Sequence, residues 1–172
     1  ATSAGANLLT LGAGTLVDIG NITVSGAASA TTANTGDVVD VTNNGTGIVT
    51  LGHGDATDDI SNTSSGSVTA SNGGDIGSIT NSGSGFVRQD NDGDIVRDVL
   101  NSSTGSVNLG SAAGAAAVDV GGDVTQSGNG SINFTGNGAA GATAFNVGGD
   151  VALTTALALT NAGTTNGAGQ LL

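Results

Sequence analysis

Apolar residues along this chain come in pairs two apart, and the pairs recur. Val49 and Leu51, Val68 and Ala70, Val107 and Leu109, and Ile132 and Phe134 each flank one polar residue, and Val87 is paired in the same way with the polar Gln89. A spacing of two places both members on one face of a strand, so each pair predicts a short β-strand with one face inward. A Gly stands two residues ahead of each pair, at Gly47, Gly66, Gly85, Gly105 and Gly130, at intervals of 19, 19, 20 and 25 residues. Each Gly closes a polar cluster, in phrases that read NNGTGIVTLGHG from Asn43, NTSSGSVTASNGG from Asn62, NSGSGFVRQDNDG from Asn81, NSSTGSVNLG from Asn101 and QSGNGSINFTGNG from Gln126.

A second phrase interleaves with the first: Gly-Asp and an apolar residue, at Asp37-Val38, Asp75-Ile76, Asp94-Ile95, Asp123-Val124 and Asp150-Val151, with a weaker copy at Asp55-Ala56. Each repeat therefore holds at least two short strands. Where the interval lengthens, AVDVGGDV ending at Val124 and FNVGGDV ending at Val151 carry a third, and VDIGNITV from Val17 to Val24 is a looser relative.

The pattern predicts an all-β, single-domain chain over 1–172: a parallel β-helix or β-solenoid with about 19–27 residues per coil. Its coils stack at about 4.8 Å, with Gly supplying positive φ at the corners and Asn able to bond along a ladder. The competing architecture is an antiparallel β-sandwich or jelly roll of a pilin-like subunit. Helical patterning is confined to Val151 to Leu159. The aliphatic segments 1–20 and 150–172 are expected to serve as caps or as polymer interfaces.

Composition narrows the function. The chain has 32 Gly, no Pro, Cys, Met, Trp or Tyr, and three Phe residues, so its apolar material is small and branched and suits thin β-layers. The absence of Pro fits strands paired on both sides. Fourteen Asp against two Arg give a formal charge of −12, which sets the chain against nucleic acid and anionic lipid and favours soluble cations. No stretch is apolar enough to span a membrane, and a first residue that is not Met suggests an exported chain whose leader has been removed.

The run SVTASNGGDIGSITNSGSG, from Ser67 to Gly85, resembles the 19-residue repeats of filamentous-haemagglutinin-type adhesins, and the likeness covers roughly residues 43–138. That resemblance implies a right-handed parallel β-helix and a secreted, cell-surface or extracellular role. This chain is far shorter than those adhesins and lacks their recognisable secretion domain, which points to a self-assembling subunit.

Catalytic equipment is sparse, so no enzyme is expected. His53 sits in the turn LGHGD with Asp55 two residues on and Ser61 nearby; a triad would need a convergent pocket and an oxyanion site, and a solvated turn His is the simpler reading. The segment DNDGD presents Asp90, Asp92 and Asp94, with Asp98 four residues on, an alternation of oxygen donors suited to calcium though without an EF-hand's Gly and Glu positions. A second, weaker cluster is Asp55, Asp58 and Asp59. Stacking of Asp55, Asp75 and Asp94 would build a like-charge ladder that calcium relieves; no cofactor is otherwise required. Six Asn-x-Ser/Thr sequons occur, at Asn21, Asn44, Asn62, Asn101, Asn129 and Asn133, a number this composition produces by chance. Water-ordering Thr-x-Thr arrays are not expected, since no such array recurs in register along the sequence. The expected function is a secreted structural subunit that assembles with itself into a fibre, the alternative an adhesin or carbohydrate-binding module of a larger surface or phage fibre whose partners are glycans or a cell surface.

Overall fold

A computed structural model describes residues 2–4, 8–11, 18–32, 37–52, 57–71, 74–90, 93–110, 118–134 and 145–153. They form seventeen strands and no helix. In chain order these are β1 (Thr2–Ala4), β2 (Leu8–Leu11), β3 (Ile22–Ser25), β4 (Ser29–Thr32), β5 (Val38–Asn43) and β6 (Ile48–Gly52). Then come β7 (Thr57–Asn62), β8 (Ser67–Ser71), β9 (Ile76–Asn81), β10 (Phe86–Gln89), β11 (Val99–Asn101) and β12 (Ser106–Leu109). The last five are β13 (Val118–Val120), β14 (Val124–Gln126), β15 (Ser131–Phe134), β16 (Phe145–Val147) and β17 (Val151–Leu153).

The chain alternates between two sheets. The first runs β1-β3-β5-β7-β9-β11-β14-β17, the second β15-β12-β10-β8-β6-β4-β2, and β13 pairs with β16. Every strand pairing is parallel, which makes the molecule a β-solenoid and excludes the antiparallel sandwich. The register repeats the sequence intervals: Val49 lies beside Val68, Val68 beside Val87, Val87 beside Val107 and Val107 beside Ile132. The solenoid also extends ahead of the first recognised repeat, through β4 to β2, where the offset rises to 21 residues between Leu9 and Ala30. The third strand expected at the longer intervals is present as β13 and β16. In shorter coils its counterpart is fused into the long strands β5, β7 and β9, and bridges join Ile19 to Val38, Ile76 to Ile95 and Ile95 to Val120. Val151 to Leu153, placed in the helix-patterned stretch, is strand β17; the rest of that stretch, half of the aliphatic segment 1–20 and most of the segment 150–172 lie outside the described residues.

Inward residues are aliphatic in most columns, from Ile22, Val24 and Ala30 through Val68, Ile79 and Val107 to Ile132, each at most 1 % exposed. Phe134 is the one aromatic member of this core among the described residues. One inward column is polar. Asn43, Asn62, Asn81, Asn101 and Gln126 stack in register at the end of the first sheet, all fully buried. Burying an amide costs free energy unless its donors and acceptors are used. The Asn62 amide donates to Asn81 Oδ1 at 2.9 Å and the Asn81 amide to Asn101 Oδ1 at 3.2 Å. The same side chains tie down the following corner: Asn43, Asn81 and Asn101 donate to the carbonyls of Gly47, Gly85 and Gly105 at 3.0, 3.2 and 2.9 Å. Gln89 is a buried amide outside this column, donating to the Gly93 carbonyl at 2.7 Å and accepting the Gly110 amide at 3.2 Å.

The recurrent Gly residues answer to a different constraint from the one expected. Among the described residues positive φ belongs to Gly26 (66°) and Gly110 (65°), not to the five Gly residues that precede the apolar pairs. A β-carbon on Gly47 would collide with the Ala28 carbonyl, one on Gly85 with that of Gly66, and one on Gly130 with that of Gly105. The corners of successive coils nest, and the missing side chain is what lets them approach.

Candidate functional site

The outer surface of the described solenoid divides into an acidic side and a neutral side. Of the described carboxylates, Asp90 alone follows a strand of the second sheet; Asp119 lies on β13, and Asp18, Asp37, Asp40, Asp58, Asp59, Asp75, Asp94, Asp98, Asp123 and Asp150 lie on the first sheet or in the turns that lead into its strands. The strand periodicity sets this up, because each Gly-Asp turn precedes an inward aliphatic residue of the first sheet.

The Gly-Asp phrases fall into two ladders instead of the single one expected. In one, the Asp94 amide donates to Asp75 Oδ1 at 3.1 Å and the Asp119 amide to Asp94 Oδ1 at 3.0 Å. In the other, the Asp123 amide donates to Asp98 Oδ1 and the Asp150 amide to Asp123 Oδ1, both at 2.8 Å. Asp123 and Asp150 thus belong with Asp98, not with Asp75 and Asp94; the extra strand in the longer coils moves the phrase by one corner. Each carboxylate binds the backbone of the next coil, which offsets part of the like-charge repulsion along the ladder.

Arg97 reaches across two coils. Its guanidinium binds Asp59 at 2.5 Å and its Nε donates to the Ser78 hydroxyl at 3.1 Å. The Asp59 hydrogen bond, then the charges of Asp59, Asp58 and Asp98, hold its pKa above the ordinary arginine value. With its pKa raised, Arg97 stays charged throughout the neutral range and would lose its proton only as pH climbs through that raised value.

The candidate calcium residues are dispersed. Asp90 follows β10 and pairs with Arg88, and it accepts a bond from the Ser71 hydroxyl at 3.2 Å; Asp94 and Asp98 sit in separate carboxylate ladders. Asp92 lies outside the described residues, as do His53 and Asp55. Among the described residues no group of three or more potential metal ligands converges. Two of the sequon residues, Asn62 and Asn101, are buried in the amide column, whereas Asn21, Asn44 and Asn129 are exposed.

The neutral side carries two outward columns that sequence reading missed. One is Thr10, Thr31, Thr50, Thr69, Arg88, Asn108 and Asn133, in continuous register. A single Thr column therefore recurs in register, without the second column of a Thr-x-Thr array; the 21-residue first interval hides it in the linear sequence. The adjacent column includes Ile48, Ser67, Phe86, Ser106 and Ser131. Phe86 faces outward with 39 % of its surface exposed. Around it runs an open groove of about 480 Å³, bounded by Ser67, Ser84, Thr104, Ser106 and Ser131. A second groove of about 430 Å³ lies on the acidic side, lined by Asp59, Ser78, Thr80, Asp98, Leu100 and Asp123. Arg88 and Asp90, the charged groups of the neutral side among the described residues, neutralise each other.

No family model, no curated protein and no solved structure matches this chain. No helix of the described residues is long and apolar enough to cross a membrane.

Proposed function

We propose that the chain is a non-enzymatic structural module: a rod segment of a secreted or cell-surface fibre that associates with further copies of itself. The observation that carries this reading is the uninterrupted parallel stacking of the first sheet, eight strands deep, on a thin interior of aliphatic and amide columns. Residues are spent on repeating one cross-section, which is how an elongated, load-bearing element differs from a scaffold built around a pocket. The outermost described strands, β1 and β2 at one end and β15 and β17 at the other, give the repeat two edges on which another coil of the same cross-section can pair. The extracellular setting rests on the resemblance to filamentous-haemagglutinin repeats.

Negative-stain electron microscopy of the purified chain at micromolar concentration tests the proposal. Narrow rods joined end to end are expected, and deletion of residues 1–14 should shorten or abolish them. A monodisperse monomer at every concentration would rule self-assembly out.

A further inference from the structure

The Phe86 flank has a chemistry that the rod reading does not require. A Ser in place of Phe86 would continue its column, since the residues beside it in the two neighbouring coils are Ser67 and Ser106. Nothing inside the solenoid needs the ring: Phe86 points outward, while the next residue, Val87, fills the core. The ring lies instead in a groove whose walls are hydroxyls, and the flank around it carries no net charge among the described residues.

We infer that this groove binds a neutral polysaccharide laid along the solenoid axis, with Phe86 as its stacking platform. A pyranose ring has an apolar C–H face and a rim of hydroxyls. The exposed aromatic face matches the first, and the Ser and Thr hydroxyls of the walls match the second. Ser67 stands one coil to one side of Phe86, and Ser106 and Ser131 one and two coils to the other, at a coil spacing of about 4.8 Å, so an extended glycan meets hydroxyl partners on both sides of the ring. Charge selects among glycans: the flank offers a polyanion no net positive charge, and the acidic side repels it. A second copy of this chain fits less well, because two such flanks would bring together mainly Ser, Thr and Asn around one ring each, without the apolar centre that a stable interface of standard size contains.

The inference is independent of self-assembly, and its test separates the two. Affinity electrophoresis of the full chain is run through gels containing galactomannan, hydroxyethylcellulose or, as the anionic control, polygalacturonate. At least one neutral polymer should retard the wild type, with no retardation by polygalacturonate. Phe86→Ala should weaken the retardation at least about fivefold. Phe86→Tyr should preserve it, and so should Ile48→Ala, two coils away in the same column. Circular dichroism and melting of Phe86→Ala should match the wild type, as befits an outward side chain. The proposal fails if no neutral polymer retards the protein, if Phe86→Ala is retarded as strongly as wild type, or if only the polyanion retards it. It also fails if sedimentation reveals a dimer abolished by Phe86→Ala, which would assign the flank to a second copy. Loss of filaments with retardation retained would refute the rod reading alone.

Discussion

The amide column is where single residues matter most. Asn81 sits in its middle, accepting from Asn62, donating to Asn101 Oδ1, and holding the Gly85 carbonyl of the corner that follows. Asn81→Ala strands several buried groups at once, and a loss of about 2–4 kcal/mol is expected in urea denaturation. Asn81→Asp should be worse near neutrality, because burial raises the carboxyl's pKa and ionisation there is costly; the sign of the linkage makes its stability recover as pH falls, measurable as a rising melting temperature between neutral and acidic buffer. Gly85→Ala is expected to cost about 3 kcal/mol or more, from collision with the Gly66 carbonyl and not from backbone strain. Ala at Gly20, where an added β-carbon meets nothing within 4 Å, is the matched control.

At the scale of strands, sequence and structure agree where a side chain's role is local. The apolar pairs that predicted β6, β8, β12 and β15 face inward in all four, because alternation is a property of the strand itself. The amide column was harder to read: Asn43, Asn62, Asn81 and Asn101 look like turn residues when each is taken alone, and only stacking reveals them as interior. A signal was available, since each precedes its corner Gly by four residues, as Gln126 precedes Gly130. The outward Thr column, the Phe86 flank and the two Asp ladders depend on the offset between coils, which changes where the coil length changes. Arg97 illustrates the same limit, for its partner Asp59 lies 38 residues away. Because that bridge is exposed at both ends, Arg97→Ala should lower the melting midpoint only slightly at low salt and not at all at high salt.

The whole molecule behaves as a stack of near-equivalent layers, so its response to change should follow coils instead of residues. Deleting residues 62–80 removes one complete period and brings Asn81 to the position Asn62 held, directly above Asn43. Such a shortened chain should keep its circular dichroism spectrum and melt cooperatively, whereas removing residues 62–71 should unfold the neighbouring coils; thermal melts of the two proteins provide the comparison. Fibre diffraction from aligned material should give a meridional reflection near 4.8 Å if the solenoid axis runs along the filament.

Regular stacking also creates an addressing problem, and Gln89 bears on it. Layers built around Asn43, Asn62 and Asn81 are close to interchangeable, so a folding chain could skip a layer and still bury its amides and its valines. Gln89 breaks that degeneracy. It occupies a core position where the two preceding coils have Ala70 and Leu51, and its amide bonds the Gly93 carbonyl and the Gly110 amide. Pairing β10 with β15 in place of β12 would take Gly110 away from that amide, so the residue that spoils the apolar pattern serves as a landmark from which the stack is counted.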